Sequence, residues 1–251
     1  VRVSSIPTIH GENLVLRFLD TSGGVYSLDG LGMIQSDIVK IQSIINKPYG
    51  MILSTGPTGS GKSTSIYAIL NELNRPESHI MTLEDPVEYR IENIRQVQLN
   101  RKAGMTFAGG LRSILRQDPD IIMVGEIRDP ETAAIAVQAA QTGHRLLSTV
   151  HTNDAAGAIS RLVEMDIEPF LIASVLLATF AQRLVRTICP YCKEKYQPPK
   201  AALAAVGLEG NENGSFMRGK GCNQCMNTGY KGRTGIFEVL VNDEMIQRLI
   251  L

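Results

Sequence analysis

The chain has 251 residues with 25 basic and 25 acidic side chains, a formal net charge of zero, and is 43% hydrophobic and 20% charged. That composition excludes disordered and fibrous classes. The zero balance argues against a protein held to nucleic acid by bulk positive charge, and the length suits one large domain, or one domain with a smaller companion.

The sequence opens at Val1 in an apolar/polar alternation, Val1-Arg2-Val3-Ser4, which reads as a fragment entered in mid-strand. No basic segment followed by an apolar one marks a secretory signal. The longest apolar stretch, Phe170 to Ala181, is interrupted by Ser174 and Thr179. It falls short of the ~18 residues a membrane span needs, so a soluble piece is expected.

In chain order, residues 1–33 read as strand segments punctuated by Gly11, Gly23-Gly24 and Gly30. A helix is predicted from Ser36 to Asn46 on the spacing of Ile38, Ile41, Ile44 and Ile45, and Pro48 ends it. Strands and helices then alternate: Met51–Thr55 strand, Ser63–Leu73 helix, His79–Leu83 strand, Phe107–Arg116 helix, Ile121–Val124 strand. Asp129 as N-cap, Pro130 at the first helical position and Gly143 after the last turn predict a helix over Pro130–Thr142. Leu146–Val150 reads as a strand, with two helices following to about Thr187. Such alternation predicts a mainly parallel sheet with helices on both faces. After Arg186 the composition changes: residues 186–235 hold all four Cys and eight Lys/Arg against three Glu, a local +5.

Gly56-Pro57-Thr58-Gly59-Ser60-Gly61-Lys62-Ser63-Thr64 matches G-x-x-x-x-G-K-[ST], after a predicted strand and before a predicted helix. Glycines let backbone N–H groups turn inward around phosphate oxygens. Lys62 then reaches the β and γ oxygens of a nucleotide and the Ser63 hydroxyl ligates Mg²⁺. The strand Ile121–Val124 ends in Gly125-Glu126, which fits a direct or outer-shell magnesium role; Asp120 begins that strand and reads as a turn residue. The strand His79–Leu83 ends in Glu84-Asp85-Pro86-Val87-Glu88, and any of its three acids could be a general base near the γ-phosphate. His151 ends a strand of the sheet that carries the nucleotide, where strand ends face ligand, and fits a γ-phosphate sensor. Arg112 and Arg116, four apart on one helical face, fit a phosphate clamp or a trans-acting finger as well as a solvated face.

In this order the blocks resemble the traffic ATPases of type II secretion and type IV pilus assembly. The resemblance rests on the phosphate loop, the acidic box Thr82–Glu88, the Walker B segment Asp120–Asp129 and the histidine box Thr142–Thr152. It implies an α/β fold: a RecA-like P-loop ATPase core (36–186), the end of an N-terminal β-rich domain with its linker (1–35), and a tetracysteine zinc subdomain with a C-terminal segment (187–251). It also implies that Glu88 activates water, that Glu126 is the Walker B glutamate, and that His151 contacts the terminal phosphate. Arg2 and Arg17, with Arg112 and Arg116, match arginines that reach the phosphates. The family works as ring-shaped hexamers on the cytoplasmic face of the inner membrane, hydrolysing Mg-ATP to drive a membrane platform protein that builds a filament.

Cys189-Pro190-Tyr191-Cys192 and Cys222-Asn223-Gln224-Cys225 form two C-x₂-C pairs with 29 residues between them. Four thiolates in two turns suit tetrahedral Zn²⁺, and the long gap predicts an inserted helix around Pro199–Leu208. Cys-Pro-Tyr-Cys alone is similar to a glutaredoxin site, a reading set aside because the pair is expected to follow a helix. Disulfides are disfavoured in the cytosol. A nucleic-acid zinc ribbon is a further alternative, weakened by the missing aromatic platform. The resemblance implies the tetracysteine subdomain of secretion and pilus-extension ATPases, which retraction ATPases generally lack. A nucleotide-gated scaffold without turnover and a nucleic-acid translocase are the competing functions.

Overall fold

The computed structural model describes residues 2–17, 27–208 and 214–251, without the side chains of Arg2 and Arg17. The chain divides into two compact units, residues 1–182 with 237–251, and residues 183–236. The last part of the chain, from Phe237, belongs to the first unit.

The first unit begins with β1 (Arg2–Thr8) and β2 (Gly11–Arg17), an antiparallel hairpin whose register runs from Arg2↔Arg17 to Thr8↔Gly11. Helix α1 (Gln35–Ile45) buries Ile38, Ile41, Ile44 and Ile45, the stripe its spacing predicts. There follow β3 (Gly50–Thr55), α2 (Lys62–Leu73), β4 (Ile80–Glu84), β5 (Arg95–Gln98), α3 (Phe107–Ile114), β6 (Ile121–Val124), α4 (Pro130–Gln141) and β7 (Arg145–Val150). Asp129 caps α4 by accepting from the Thr132 N–H, and Pro130 opens the helix as expected.

Helices α5 (Gly157–Glu164) and α6 (Pro169–Val175) come next, but the helix predicted to reach Thr187 stops at Val175. The chain continues as a long strand, β8 (Leu176–Ile188). Its first half lies parallel to β3, from Met51↔Leu176 to Thr55↔Ala181, and is covered on both faces. A strand buried on both sides is apolar throughout, so its period does not distinguish it from a buried helix. A second correction concerns Arg116. Helix α3 ends at Ile114 and tightens into a 3₁₀ turn over Leu115–Gln117, so Arg116 no longer shares an α-helical face with Arg112. The strand β11 (Tyr230–Val241) and helix α8 (Glu244–Ile250) close the chain.

The sheet order is β11-β8-β3-β7-β6-β4-β5, and from β8 through to β5 each adjacent pair is parallel. Alternate residues feed opposite faces. Met51, Leu53, Ile122 and Val124 pack with α3, α4, α5 and α6, while Ile52, Ile121, Met123 and Phe180 pack with α1 and α2. Parallel alignment brings the C-terminal ends of β3, β4, β6 and β7 to one edge, where an open α/β sheet binds its ligand. No helix among the described residues is long and apolar enough to cross a membrane.

The second unit holds β9 (Lys193–Lys195) paired antiparallel with β10 (Met217–Gly219), and the short helix α7 (Lys200–Ala204), which falls within the predicted inserted helix. Its fully buried side chains, among the described residues, are Cys189, Leu203 and Cys225. Cys189 follows the strand β8, so the expectation that the first cysteine pair follows a helix is wrong.

Candidate nucleotide site and thiolate cluster

Gly56 follows β3 at a φ of +141°, a backbone region that only glycine takes readily. A Cβ there would lie 2.6 Å from the Gln182 carbonyl oxygen and 2.7 Å from Ser60 Oγ. The loop then turns back to α2, which starts at Lys62 with no side-chain cap, so its first-turn N–H groups stay available to an anion. Lys62 is buried, and its Nζ donates to the carbonyls of Gly56 at 2.7 Å and Pro57 at 3.0 Å. Burial pushes its pKa below the ordinary lysine range, opposed by the negative charge of Glu126. Gln182 braces the loop by donating to the Ser60 carbonyl at 2.6 Å. Ser63 and Thr64, in the first turn of α2, are half-buried.

Glu126 follows β6 and His151 follows β7, and the structure brings the two together with His151 Nε2 3.5 Å from Glu126 Oε2. Side-chain bonds fix these strand ends. Ser148 Oγ donates to the Val124 carbonyl at 2.7 Å, and Thr149 Oγ1 to that of Gly125 at 2.8 Å. Thr55 Oγ1 donates to the Thr152 carbonyl at 3.0 Å, tying the end of β3 to the end of β7. Burial lowers the His151 pKa, the Lys62 charge lowers it further, and Glu126 opposes both. Arg128, assigned no role by sequence, donates from Nε to Glu126 Oε2. With His151, Arg128 lines a cleft of about 410 Å³ that extends along Thr152, Asp154, Ser160 and Arg161.

The three acids after β4 separate. Glu84 is buried in the strand end and receives three donors: Tyr67 Oη, Thr82 Oγ1 at 2.5 Å and Gln96 Nε2 at 3.2 Å. Burial raises its pKa, and the three hydrogen bonds pull the other way. Asp85 is paired with Arg101 at 2.6 Å. Glu88 is exposed, with its backbone N–H on Tyr67 Oη at 3.4 Å. A buried, fully bonded carboxylate and a paired one are poor proton acceptors for a bound water; Glu88 alone of the three has its carboxylate open. The arginines also divide. Arg112 is paired with Glu131 at 2.8 Å, Arg116 is exposed, and the side chains of Arg2 and Arg17 lie outside the described residues.

In the second unit the Sγ atoms of Cys189, Cys192, Cys222 and Cys225 all lie within 4.8 Å of one another. Cys189 and Cys222 are 3.9 Å apart, Cys192 and Cys225 3.9 Å, and Cys222 and Cys225 3.7 Å. A tetrahedron of Zn–S bonds of ~2.3 Å puts sulfurs about 3.8 Å apart, so the donors fit that ion. All four thiols are free of disulfides. Backbone N–H groups of Gly221, Cys222 and Gly229 point at Cys192 and Cys225 sulfurs at 3.2 to 3.3 Å, as an outer shell around thiolates does. Gathering of Cys189 and Cys192 with Cys222 and Cys225 into one cluster is unlike a two-cysteine redox site.

A parallel α/β sheet with a glycine-rich phosphate loop, a carboxylate–histidine pair and a tetrathiol subdomain defines a P-loop protein of RecA-like fold. The chain belongs to the Type II/IV secretion system protein family, which matches residues 1–251. It is 53% identical over 250 residues to the Type II secretion system protein E of Pseudomonas aeruginosa, covering 100% of this chain and 50% of that protein. The Type II secretion system ATPase E of Vibrio cholerae is also 53% identical over 250 residues, with the same coverage. The Type IV pilus assembly ATPase PilB of Thermus thermophilus is 48% identical over 253 residues, 100% of this chain and 28% of that one. Among solved structures, the pilus retraction motor PilT with bound ADP superposes with a TM-score of 0.69 at 28% identity, over 98% of this chain and 61% of that one. The chain thus spans about half the length of the type II secretion relatives.

Proposed function

We propose that the chain is the catalytic core of an ATPase that powers assembly of a type II secretion pseudopilus or type IV pilus. The observation that carries this reading is the buried Lys62 in a phosphate loop that follows β3, on the sheet edge where the Glu126–His151 pair follows β6 and β7. Relatives named as secretion and pilus-assembly ATPases support it.

In this reading residues Gly56 to Thr64 wrap the phosphates, and Lys62 neutralises their charge. Ser63 and Glu126 would hold Mg²⁺, which supplies further positive charge at the β and γ oxygens. The buried Lys62, the Gly56 cradle that a Cβ would fill and the open first turn of α2 fit a phosphate group, and the hydroxyl and carboxylate oxygens of Ser63 and Glu126 are donors that suit Mg²⁺. Glu88 takes a proton from the attacking water as the water oxygen bonds the γ-phosphorus. The bond to the β–γ bridging oxygen breaks, leaving ADP and phosphate. His151, uncharged at neutral pH, orients against the terminal phosphate through its ring N–H. Arg112 and Arg116, with Arg2 and Arg17, supply added positive charge to the phosphates. The four cysteines would hold a structural Zn²⁺.

The full-length protein is proposed to form a ring hexamer on the cytoplasmic side of the inner membrane and to act on a membrane platform protein. The test is Mg²⁺-dependent phosphate release by the full-length protein, measured against oligomer size by light scattering. Turnover that rises with ring formation and ignores DNA is expected. A hexamer that binds ATP without turnover would leave a scaffold, and steeply salt-dependent stimulation by DNA would make it a translocase.

A further inference from the structure

The loop from Asp85 to Glu92 carries Glu88 and has little regular backbone pairing of its own. Side chains from two neighbouring elements hold its backbone instead. From α2 and the residue that caps its end, Tyr67 Oη accepts the Glu88 N–H at 3.4 Å and Asn74 Nδ2 donates to the Glu92 carbonyl at 2.8 Å. From β5, Gln98 Oε1 accepts the Val87 N–H at 3.4 Å, and Gln96 accepts the Ile91 N–H at 2.8 Å while donating to the Tyr89 carbonyl at 3.1 Å.

Tyr67 and Gln96 both converge on buried Glu84. Tyr67 is fully buried, five residues beyond Lys62 on the helix rooted in the phosphate loop. Its hydroxyl has one proton. Glu84 takes that proton as an acceptor, which leaves the Tyr67 oxygen lone pairs facing the Glu88 N–H. Burial and the Glu84 charge both raise the Tyr67 pKa, so the proton stays on the phenol. The Tyr67 ring is also packed edge-on against Tyr89 of the loop, with centroids 4.5 Å apart. An isolated carboxylate buried this deeply is costly, and hydrogen bonds from three different elements are what stabilise it here.

We propose that Tyr67 and Glu84 are positioning residues, forming a buried bridge that locks the Glu88 loop in register with the helix that grips the nucleotide phosphates. Glu84 acts through Tyr67: it fixes the direction of the Tyr67 hydroxyl, which fixes the Glu88 backbone. This inference rests on the assignment of Glu88 as the water-activating carboxylate.

The test uses Tyr67→Phe in the full-length protein, which keeps the ring on Tyr89 and removes only the hydroxyl. Two readouts are needed. Hydrogen exchange at the Glu88 amide should speed up at least tenfold, with the phosphate-loop amides unchanged. The kcat for ATP should fall at least tenfold with KM within twofold of wild type, a split that a general loss of fold does not produce. Glu84→Gln should act in the same direction, and the double variant should be no worse than the stronger single, since both break one bridge. Unchanged exchange at Glu88, a kcat within twofold of wild type, or additive losses would each overturn the bridge. If wild-type protein shows no turnover, the proposed function fails, and the exchange result still decides whether the bridge holds the loop.

Discussion

Substituting Gly56 by alanine tests how the phosphate loop is built. At a φ of +141° an L-residue carries strain of ~1–3 kcal/mol. The added Cβ meets the Gln182 carbonyl oxygen at 2.6 Å, a backbone atom of β8 held in the sheet beside β3, so it has little room to retreat. Overpacking of this kind costs ~1–3 kcal/mol more. Gly59→Ala is the control: its φ of +77° is also strained, yet nothing lies within 4 Å of the new Cβ. There only backbone strain of ~1–2 kcal/mol remains, and the ~0.4–1 kcal/mol that either Gly→Ala change gains through the unfolded chain cancels between the two. The expected difference between the two variants is therefore the overpacking cost, about 1–3 kcal/mol in urea unfolding. The Gly56 carbonyl also accepts from Lys62 Nζ at 2.7 Å, so its displacement should weaken binding of a fluorescent ATP analogue at least tenfold. Gly56→Ala and Gly59→Ala differing by less than ~0.5 kcal/mol would refute the steric argument, since overpacking alone should exceed it.

Zinc analysis of purified protein should find about one ion per chain, and Cys222→Ser should lose it and expose residues 183–236 to protease; less than about half an equivalent in wild type contradicts a four-thiolate site. The His151 imidazole, lowered by burial and by Lys62, should titrate by NMR with a midpoint below the ordinary ~6.5. The unfolded chain takes up that proton first as pH falls, so the His151 contribution to stability is present above about 6.5 and lost on acidification through the lower folded midpoint. A midpoint above ~6.5 would mean that Glu126 dominates the site. Arg112→Ala should change stability by less than ~1 kcal/mol, because its pair with Glu131 is solvent-exposed, yet it should cut phosphate release at least tenfold. A loss of stability without a loss of turnover would remove Arg112 from the phosphate clamp.

Local signals carried much of this architecture. The phosphate loop, the Asp129–Pro130 helix start and the four-isoleucine face of α1 depend on neighbours within a few residues, and each stands where its sequence places it. What was missed depends on distant partners. Strand β8 read as helix because both of its faces are covered, and Gln182 reaches Ser60 across 122 positions of sequence. Strand β5 is four residues long at the sheet edge, too short for its alternation to register. The roles of Glu84, Asp85 and Glu88 could not be told apart because the groups that distinguish them, Tyr67, Gln96 and Arg101, come from three other segments. Arg128 sat inside a recognised segment, but only the geometry places its guanidinium on Glu126.

The most direct test of the central claim is phosphate release by full-length Glu88→Gln and Glu126→Gln proteins, each saturated with Mg-ATP. Both variants should bind ATP while turnover falls at least a hundredfold, as loss of a group contributing ~10²–10⁴-fold requires. Phosphate release that continues undiminished in both variants would contradict it.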